Sequence, residues 1–259
     1  MLGDENNQIN LLSGLFMVVK EIQVKNLLTK SNLPSTDFTI NPYVGCPHAC
    51  KYCYASFMKK FTEHSQNWGD FLDVKLCCKK IDVNKIGNKS VLLSSVTDCY
   101  NPYEKKYELT KNILEQLIQS DCRLVIITKS NLILRDIEIL KRFNNLTVAI
   151  SLNTINENFK KDMDKASSVH DRLATLKELY SNNIRTVLFM SPVFPYITEW
   201  KEIIESSLSF TNEYWFENLN LRGPYRPVIM KYIKEKYPSL YKYYVDIYYY
   251  GNNTYWSVL

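Results

Sequence analysis

The sequence predicts an α/β fold: a partial (β/α)6 barrel of TIM type with helical closure at its C-terminal end. Three observations carry this. Apolar β-branched runs alternate with helical stripes about six times; runs such as VII and VLFM are apolar at successive positions, as strands buried on both faces require; and no repeat, low-complexity tract or composition shift interrupts the 259 residues. Alternation of this kind demands parallel strands joined by right-handed crossovers. Eight such units would close a barrel, and six leave it open.

In chain order, strands are expected at 38–44 (FTINPYV), 90–97 (SVLLSSVT), 123–129 (RLVIITK), 146–153 (LTVAISLN), 184–193 (IRTVLFMSPV) and 213–221 (EYWFENLNL). Helices are expected near 54–63, 103–120, 132–143, 169–182 and 199–210; in the second, Leu109, Ile113 and Leu117 form one stripe, widened by Leu114 and Ile118. The stretch 64–90 reads as a loop and a candidate lid. Residues 1–24 read as an N-terminal extension, 25–222 as the barrel, and 223–259 as a helical tail packed on it. In that tail Tyr237, Tyr241, Tyr244 and Tyr248 follow a helical spacing from near Pro238 to Gly251. The spacing favours packing over an alternative in which tyrosines interleaved with lysines stack on bases.

The net charge of +5, from 32 basic and 27 acidic residues, permits a polyanionic partner without arguing for one. The seven cysteines are clustered, unlike a disulfide framework, and no signal peptide precedes them, which points to the reducing cytoplasm. The apolar patch LLSGLFMVV (11–19) is too short to span a bilayer, so no membrane association is expected.

Cys46, Cys50 and Cys53 fall within eight residues, NPYVGCPHACKYCYA, at a C-x₃-C-x₂-C spacing. Four thiolates would complete a structural zinc or iron–sulfur site; three leave one metal position open. The competing reading is a zinc knuckle completed by His48 or by Cys77 and Cys78, serving a nucleic-acid-binding module. Against it, the wider gap comes first and an aromatic precedes the last cysteine. Barrels of this kind carry their chemistry at the C-terminal strand ends. There the sequence places Ser95, Thr97 and Asp98 after the second strand, Lys129 after the third, Ser151 and Asn153 after the fourth, and Ser191 after the fifth. Lys129 read singly is a solvated cap, and Ser151 a hydroxyl bonded to its own backbone.

The cysteine spacing with Tyr52 before the last cysteine resembles the cluster loop of the radical S-adenosylmethionine (SAM) superfamily. Within it, NPYVGCPHACKYCYA, SVTDCYNPYEKKYELTKNILE, ITKSNLILRDIEIL, AISLNT and SPVFP are similar to segments of the spore photoproduct lyase-like group, across about residues 25–200. The resemblance implies a [4Fe-4S] cluster on Cys46, Cys50 and Cys53 whose open iron binds SAM. It further implies reductive cleavage of SAM to a 5′-deoxyadenosyl radical that abstracts hydrogen from a substrate. Tyr52 would then pack near the adenine, with Thr97, Lys129 and Ser151 at the methionine end and Ser95, Asp98, Asn153 and Ser191 as further cofactor contacts. Tyr52 and Tyr54 match tyrosines flanking the third cluster cysteine of the lyase. An electron donor of flavodoxin or ferredoxin type is implied as partner.

The substrate is implied to be a nucleic-acid base or lesion, with a peptide or small molecule as the alternative. In the lyase a cysteine just upstream of the strand-two hydroxyl returns hydrogen to the product radical; here that stretch reads Ser94, Ser95, Val96. Cys99 is the candidate displaced donor, against the reading of a small buried cysteine. Glu217, Asn218, Asn220 and Arg222 end the last strand as a candidate substrate floor, against the reading of a turn capped by its own residues. His48, His64 and His170 suggest no acid–base pair; His48 is expected to orient the loop through a backbone hydrogen bond. No second cysteine motif and no glycine-rich phosphate loop are present.

Overall fold

The computed structural model describes residues 9–10 and 17–257. Its strands are β1 (Ile9–Asn10), β2 (Met17–Gln23), β3 (Leu28–Lys30), β4 (Phe38–Ile40), β5 (Tyr43–Val44), β6 (Phe71–Leu76), β7 (Ser90–Leu93), β8 (Arg123–Thr128), β9 (Leu146–Ser151), β10 (Arg185–Val193) and β11 (Glu213–Asn218). The helices are α1 (Glu104–Tyr107), α2 (Leu109–Leu117), α3 (Ile137–Leu140), α4 (Glu157–Met163), α5 (Val169–Ser181), α6 (Trp200–Ser207), α7 (Arg226–Lys236), α8 (Tyr241–Tyr248) and α9 (Thr254–Ser257).

The main sheet has seven strands in the order β11-β10-β9-β8-β7-β4-β3, open at both ends among the described residues. From β4 to β11 every pair is parallel, with Leu92 opposite Val125, Ile126 opposite Val148 and Leu188 opposite Ile150. The six expected strands therefore supply the six parallel strands. Only β3 joins antiparallel, beside β4. The core between sheet and helices holds Val91, Leu93, Leu124, Ile126, Val148 and Leu188 from the strands, with Ile113, Leu114 and Leu117 from α2 and Leu176 and Leu179 from α5, all buried. Burying about ten such side chains at roughly 1.5–3 kcal/mol each is what drives the strands and helices together.

Two expectations need correction. The stretch 64–90 is not a free loop: β6 lies within it, parallel to β2 on one side and antiparallel to β5 on the other, in a second sheet of order β1-β2-β6-β5. Phe71, Leu72 and Val74 are fully buried there. The stretch read as an extension, 1–24, contains β2; the remainder of the apolar patch at 11–16 lies outside the described residues.

The first expected strand is also divided, into β4 and β5, at Asn41–Pro42. Proline has no N–H to give a ladder, but its carbonyl accepts from Lys75 N–H at 3.0 Å, tying the two sheets together. After the cysteine loop the expected helix is a 3₁₀ helix, Tyr54–Phe61.

The tail is helical, as its tyrosine spacing indicates. Tyr244 is fully buried, and Tyr237, Tyr241 and Tyr248 pack around it, in one cluster with Tyr52, Phe159 and Phe194. The Tyr244 hydroxyl donates to the Pro195 carbonyl at 3.0 Å. The C-terminal helices thus cover the end of the sheet where the cysteine loop lies.

Candidate active site

The cysteine loop leaves β5 through Gly45, whose φ of 85° suits glycine; a Cβ there would stand 2.3 Å from the Phe71 carbonyl oxygen of β6. Tight turns follow, with Ala49 N–H donating to Cys46 O and Cys53 N–H to Cys50 O, each at 3.1 Å. The back of the loop is stitched to the end of α4 by Lys51 N–H to Met163 O at 2.9 Å and Lys165 N–H to His48 O at 2.8 Å. Helix α4, which sequence reading does not anticipate, forms because Asn156 caps it, its side chain accepting from Asn158 and Phe159 N–H.

All three cysteines line one cavity of ≈ 240 Å³ at the C-terminal ends of the parallel strands. Tyr54, Ser95, Thr97, Asp98, Lys129, Ser151, Ser191 and Glu217 line it too, so residues from five strand ends meet the three thiols. Apolar walls come from Leu92, Ile127 and Phe189.

The polar residues are held by one another. Asp98 Oδ1 accepts from the Thr128 hydroxyl at 2.8 Å and Tyr100 N–H at 2.9 Å, and Oδ2 accepts from Lys129 N–H at 2.8 Å. His48 holds the loop by a backbone hydrogen bond, its carbonyl accepting from Lys165 N–H at 2.8 Å, and in addition its ring Nε2 stands 3.2 Å from the same Oδ2. Burial pushes the Asp98 carboxyl up, but His48 and the donated hydrogen bonds outweigh it and hold the group at about 2. Asp98 is therefore a brace between the ends of β7 and β8.

The Thr97 hydroxyl donates to Gly45 O at 2.7 Å, and the Ser95 hydroxyl accepts from Asn41 Nδ2 at 2.9 Å. The Tyr54 hydroxyl donates to the Ser95 carbonyl, and Ser191 to Glu217. Lys129 Nζ lies 5.8 Å from the centre of the Tyr52 ring.

Several candidates lie apart from the cavity. Tyr52 is behind it, edge-on to Phe194 at 5.5 Å, its hydroxyl 3.3 Å from Asp164. Asn153 is buried and spends its amide on the Pro192 carbonyl at 3.1 Å. Asn218, Asn220 and Arg222 are exposed and do not line the cavity. The expectation of Cys99 as a rim hydrogen donor is corrected. Its side chain is fully buried in the main core, while its N–H donates to Ser94 Oγ and its carbonyl accepts from Thr110.

Asn41 was missed. It bonds Ser95 and, through Oδ1, the Val96 N–H at 3.1 Å, shaping the end of β7. Its signal was available: it is a polar residue at the end of the first parallel strand, like those recognised on the others.

The donor set fits an iron–sulfur cluster. The three thiols are unpaired, and burial pushes all of them up, Cys46 and Cys50 further still by neighbouring thiolates and carboxylates. Metal coordination removes that cost by replacing the proton. Among the described residues no three Cys, His, Asp or Glu side chains converge on a point for one ion. A cubane cluster bound by three cysteines gives each cysteine its own iron and leaves a fourth iron open.

Three thiols thus share one cavity with polar groups from five strand ends of an open, mostly parallel α/β sheet. Residues 40–206 match the radical SAM superfamily, and the chain belongs to it. An uncharacterized protein of Methanocaldococcus jannaschii is 37% identical over 223 residues, covering 86% of this chain and 85% of its own. Among solved structures, a spore photoproduct lyase variant with bound AdoMet and dinucleoside spore photoproduct aligns with a TM-score of 0.59 at 16% identity, over 85% of this chain. This chain spans 66% of that lyase, just under two thirds of its length. Streptococcus suis SuiB bound to S-adenosylmethionine aligns with a TM-score of 0.50 at 12% identity, over 85% of this chain and 46% of its own. The likeness to both is one of fold. Among the described residues no helix is long and apolar enough to cross a membrane.

Proposed function

We propose that this enzyme binds a [4Fe-4S] cluster through Cys46, Cys50 and Cys53 and uses it with SAM to generate a substrate radical. The observation that supports this is the meeting, in one cavity, of three thiols with polar groups from five strand ends. The reduced cluster would supply the electron that cleaves SAM to methionine and a 5′-deoxyadenosyl radical, which takes hydrogen from the substrate.

The chain's own residues would bind and shield. Lys129 offers an ammonium to the SAM carboxylate. Ser151, Thr97 and Ser95 would present hydroxyls to the same end, that of Thr97 held by the Gly45 carbonyl and that of Ser95 by Asn41. The wall of Leu92, Ile127 and Phe189 keeps water from a reactive carbon. Helices α7 and α8, packed behind Tyr52, would complete the enclosure on the barrel's open side. A flavodoxin- or ferredoxin-type protein would serve as reductant.

For the substrate we favour a nucleic-acid base or lesion. At the cavity edge the 3₁₀ helix carries Tyr54, Phe57 and Phe61, all exposed, with Lys60 Nζ at 5.8 Å and 4.8 Å from the two phenyl centres. Aromatics interleaved with a cation suit stacking on bases. One observation favours the second reading, a peptide or small molecule: the cavity's cysteines are the three assigned to the cluster, so a returning hydrogen would have to come from Tyr54 or from SAM's own product.

Anaerobic reconstitution tests the central claim. About four irons per chain and 5′-deoxyadenosine after dithionite and SAM are expected, both lost in Cys46→Ala, Cys50→Ala and Cys53→Ala. Zinc in place of iron, with no SAM cleavage, would refute it. Binding of single-stranded DNA that weakens steeply with salt separates the two substrate readings.

A further inference from the structure

Two carboxylates line the cavity, Asp98 and Glu217. Asp98 is spent: its oxygens already accept from the Thr128 hydroxyl and the N–H groups of Tyr100 and Lys129, with His48 beside them. Glu217 is not. Among the described residues its one hydrogen bond is accepted from the Ser191 hydroxyl through Oε2, which leaves Oε1 open. It meets no cation there, unlike Glu213 on the same strand, which Arg185 pairs at 2.7 Å.

The backbone brings Ser191 and Glu217 to the cavity together. Strands β10 and β11 run in register up to Met190 opposite Phe216 and resume at Val193 opposite Asn218. Two residues of β10, Ser191 and Pro192, therefore stand against one of β11, Glu217. A bulge of this kind re-aims side chains beside a site. Just before it Phe189, which lines the cavity, packs edge-on to Trp215 at 5.9 Å; two residues further along each strand lie Ser191 and Glu217. Strand β11 is also the last of its sheet, with Phe216, Glu217 and Asn218 exposed. Glu217 thus borders the cavity at the free edge of the sheet, the side from which a substrate can enter.

A carboxylate there is a negatively charged acceptor. It repels the phosphates of a nucleic acid and attracts N–H donors, so it admits a base edge and turns the backbone away. An exocyclic amine supplies such donors, as when a glutamate accepts from N4 of cytosine. Thymine and uracil instead flank a single N–H with two carbonyl oxygens, which a carboxylate repels. The half-exposed ring of Tyr54 lines the same cavity and offers a base a surface to stack on.

We propose, on the nucleic-acid reading above, that Glu217, held by Ser191, selects the substrate by accepting the exocyclic amine of a base. The enzyme would then take cytosine or another amino-bearing base in preference to thymine or uracil.

The test is fluorescence anisotropy with labelled oligo(dC) and oligo(dT) of one length, at neutral pH, on the reconstituted full chain with SAM. Wild type is compared with Glu217→Gln and Ser191→Ala. Both probes are pyrimidines, so stacking is matched and the base edge decides. The wild type should bind oligo(dC) about tenfold more tightly than oligo(dT). Glutamine keeps the shape but offers both a donor and an acceptor, so Glu217→Gln should bring the two affinities together, chiefly by tightening oligo(dT). Ser191→Ala should lose part of the preference. Equal affinities in the wild type would overturn the proposal, as would a preference that survives in Glu217→Gln. A fall in SAM affinity in Glu217→Gln at full iron content would also overturn it, by making Glu217 a cofactor ligand. Failure of the underlying reading shows itself separately: wild-type protein that holds its cluster and binds neither oligomer refutes a nucleic-acid substrate, and the base selection with it.

Discussion

The Asp98 carboxylate accepts the Lys129 backbone N–H at 2.8 Å, joining the end of one parallel strand to the end of the next at the wall of the cavity. The same carboxylate takes Tyr100 N–H and the Thr128 hydroxyl. Asp98→Ala strands these three donors in a buried site. The expected cost is about 3 kcal/mol in a urea unfolding experiment, well above the cost of losing a single exposed hydrogen bond. A loss within about 0.5 kcal/mol would mean that the brace is not made in solution.

Lys129 itself lines the cavity from that braced strand end, and the proposed function gives its ammonium to the SAM carboxylate. Lys129→Met keeps the aliphatic stem and removes the charge. SAM affinity by equilibrium dialysis on the reconstituted protein should fall by about tenfold to a hundredfold, the equivalent of about 1.5–3 kcal/mol for a charged hydrogen bond. Iron content should not change. Unaltered SAM binding would reassign the carboxylate to the hydroxyls of Thr97 or Ser151.

Asp164 and Arg172 form an ion pair at 2.6 Å in which both side chains are about 1% exposed. Lys160 joins at 3.4 Å. Burial pushes the Asp164 carboxyl up, but Arg172, Lys129 and Lys160 together hold it below its ordinary 3.8. A folded-state value below the unfolded one means the carboxylate's contribution is complete above about pH 4 and disappears as pH falls through the folded value. Urea midpoints should therefore drop on acidification from about pH 5 to 3. Asp164→Asn should flatten its share of that drop while costing about 3–5 kcal/mol at neutral pH, because Arg172 stays buried without a counter-charge. A variant that kept the full wild-type acid dependence would place the titration elsewhere.

The parallel strands were legible because their sequences carry apolar β-branched runs, and the cysteine loop stood out because three cysteines fall within eight residues. What was hidden is instructive. Strand β6 reads FLDVKL, and two charges inside six residues suggest an exposed loop; yet Asp73 is buried, with His64 Nε2 meeting it at 2.7 Å. Sequence pattern sees the charge and not its distant partner. Cys99 failed for the converse reason: position along the chain placed it near the rim, while Ser95 to Asp98 line the cavity and the chain enters the core at Cys99 and Tyr100. Asn41, despite its strand-end position, acts on Ser95 and Val96 from a segment remote in sequence, and the turn at Gly69 meets Ala49 of the cysteine loop in the same hidden way.

Gly69 is where that hidden contact can be probed without touching a cofactor residue. Its φ of 101° disfavours any side chain, and an added Cβ meets Ala49 at 2.6 Å for Cβ and 2.9 Å for Cα. Neither atom can swing away, since one is backbone and the other is fixed to it. Gly69→Ala should cost about 1–3 kcal/mol from backbone strain alone, and it should push the turn carrying Trp68 off the cysteine loop. Gly87→Ala is the matched control: nothing lies within 4 Å of its Cβ and its φ is not in the left-handed region. That variant should unfold at wild-type urea concentration or slightly above, because alanine narrows the unfolded ensemble. Both proteins should then be reconstituted and their iron followed over hours under a chelator. Faster iron loss from Gly69→Ala than from Gly87→Ala would establish that the turn clamps the loop. Equal rates at unequal stability would show that Cys46, Cys50 and Cys53 hold their metal through the loop's own hydrogen bonds to the end of α4, without help from the turn.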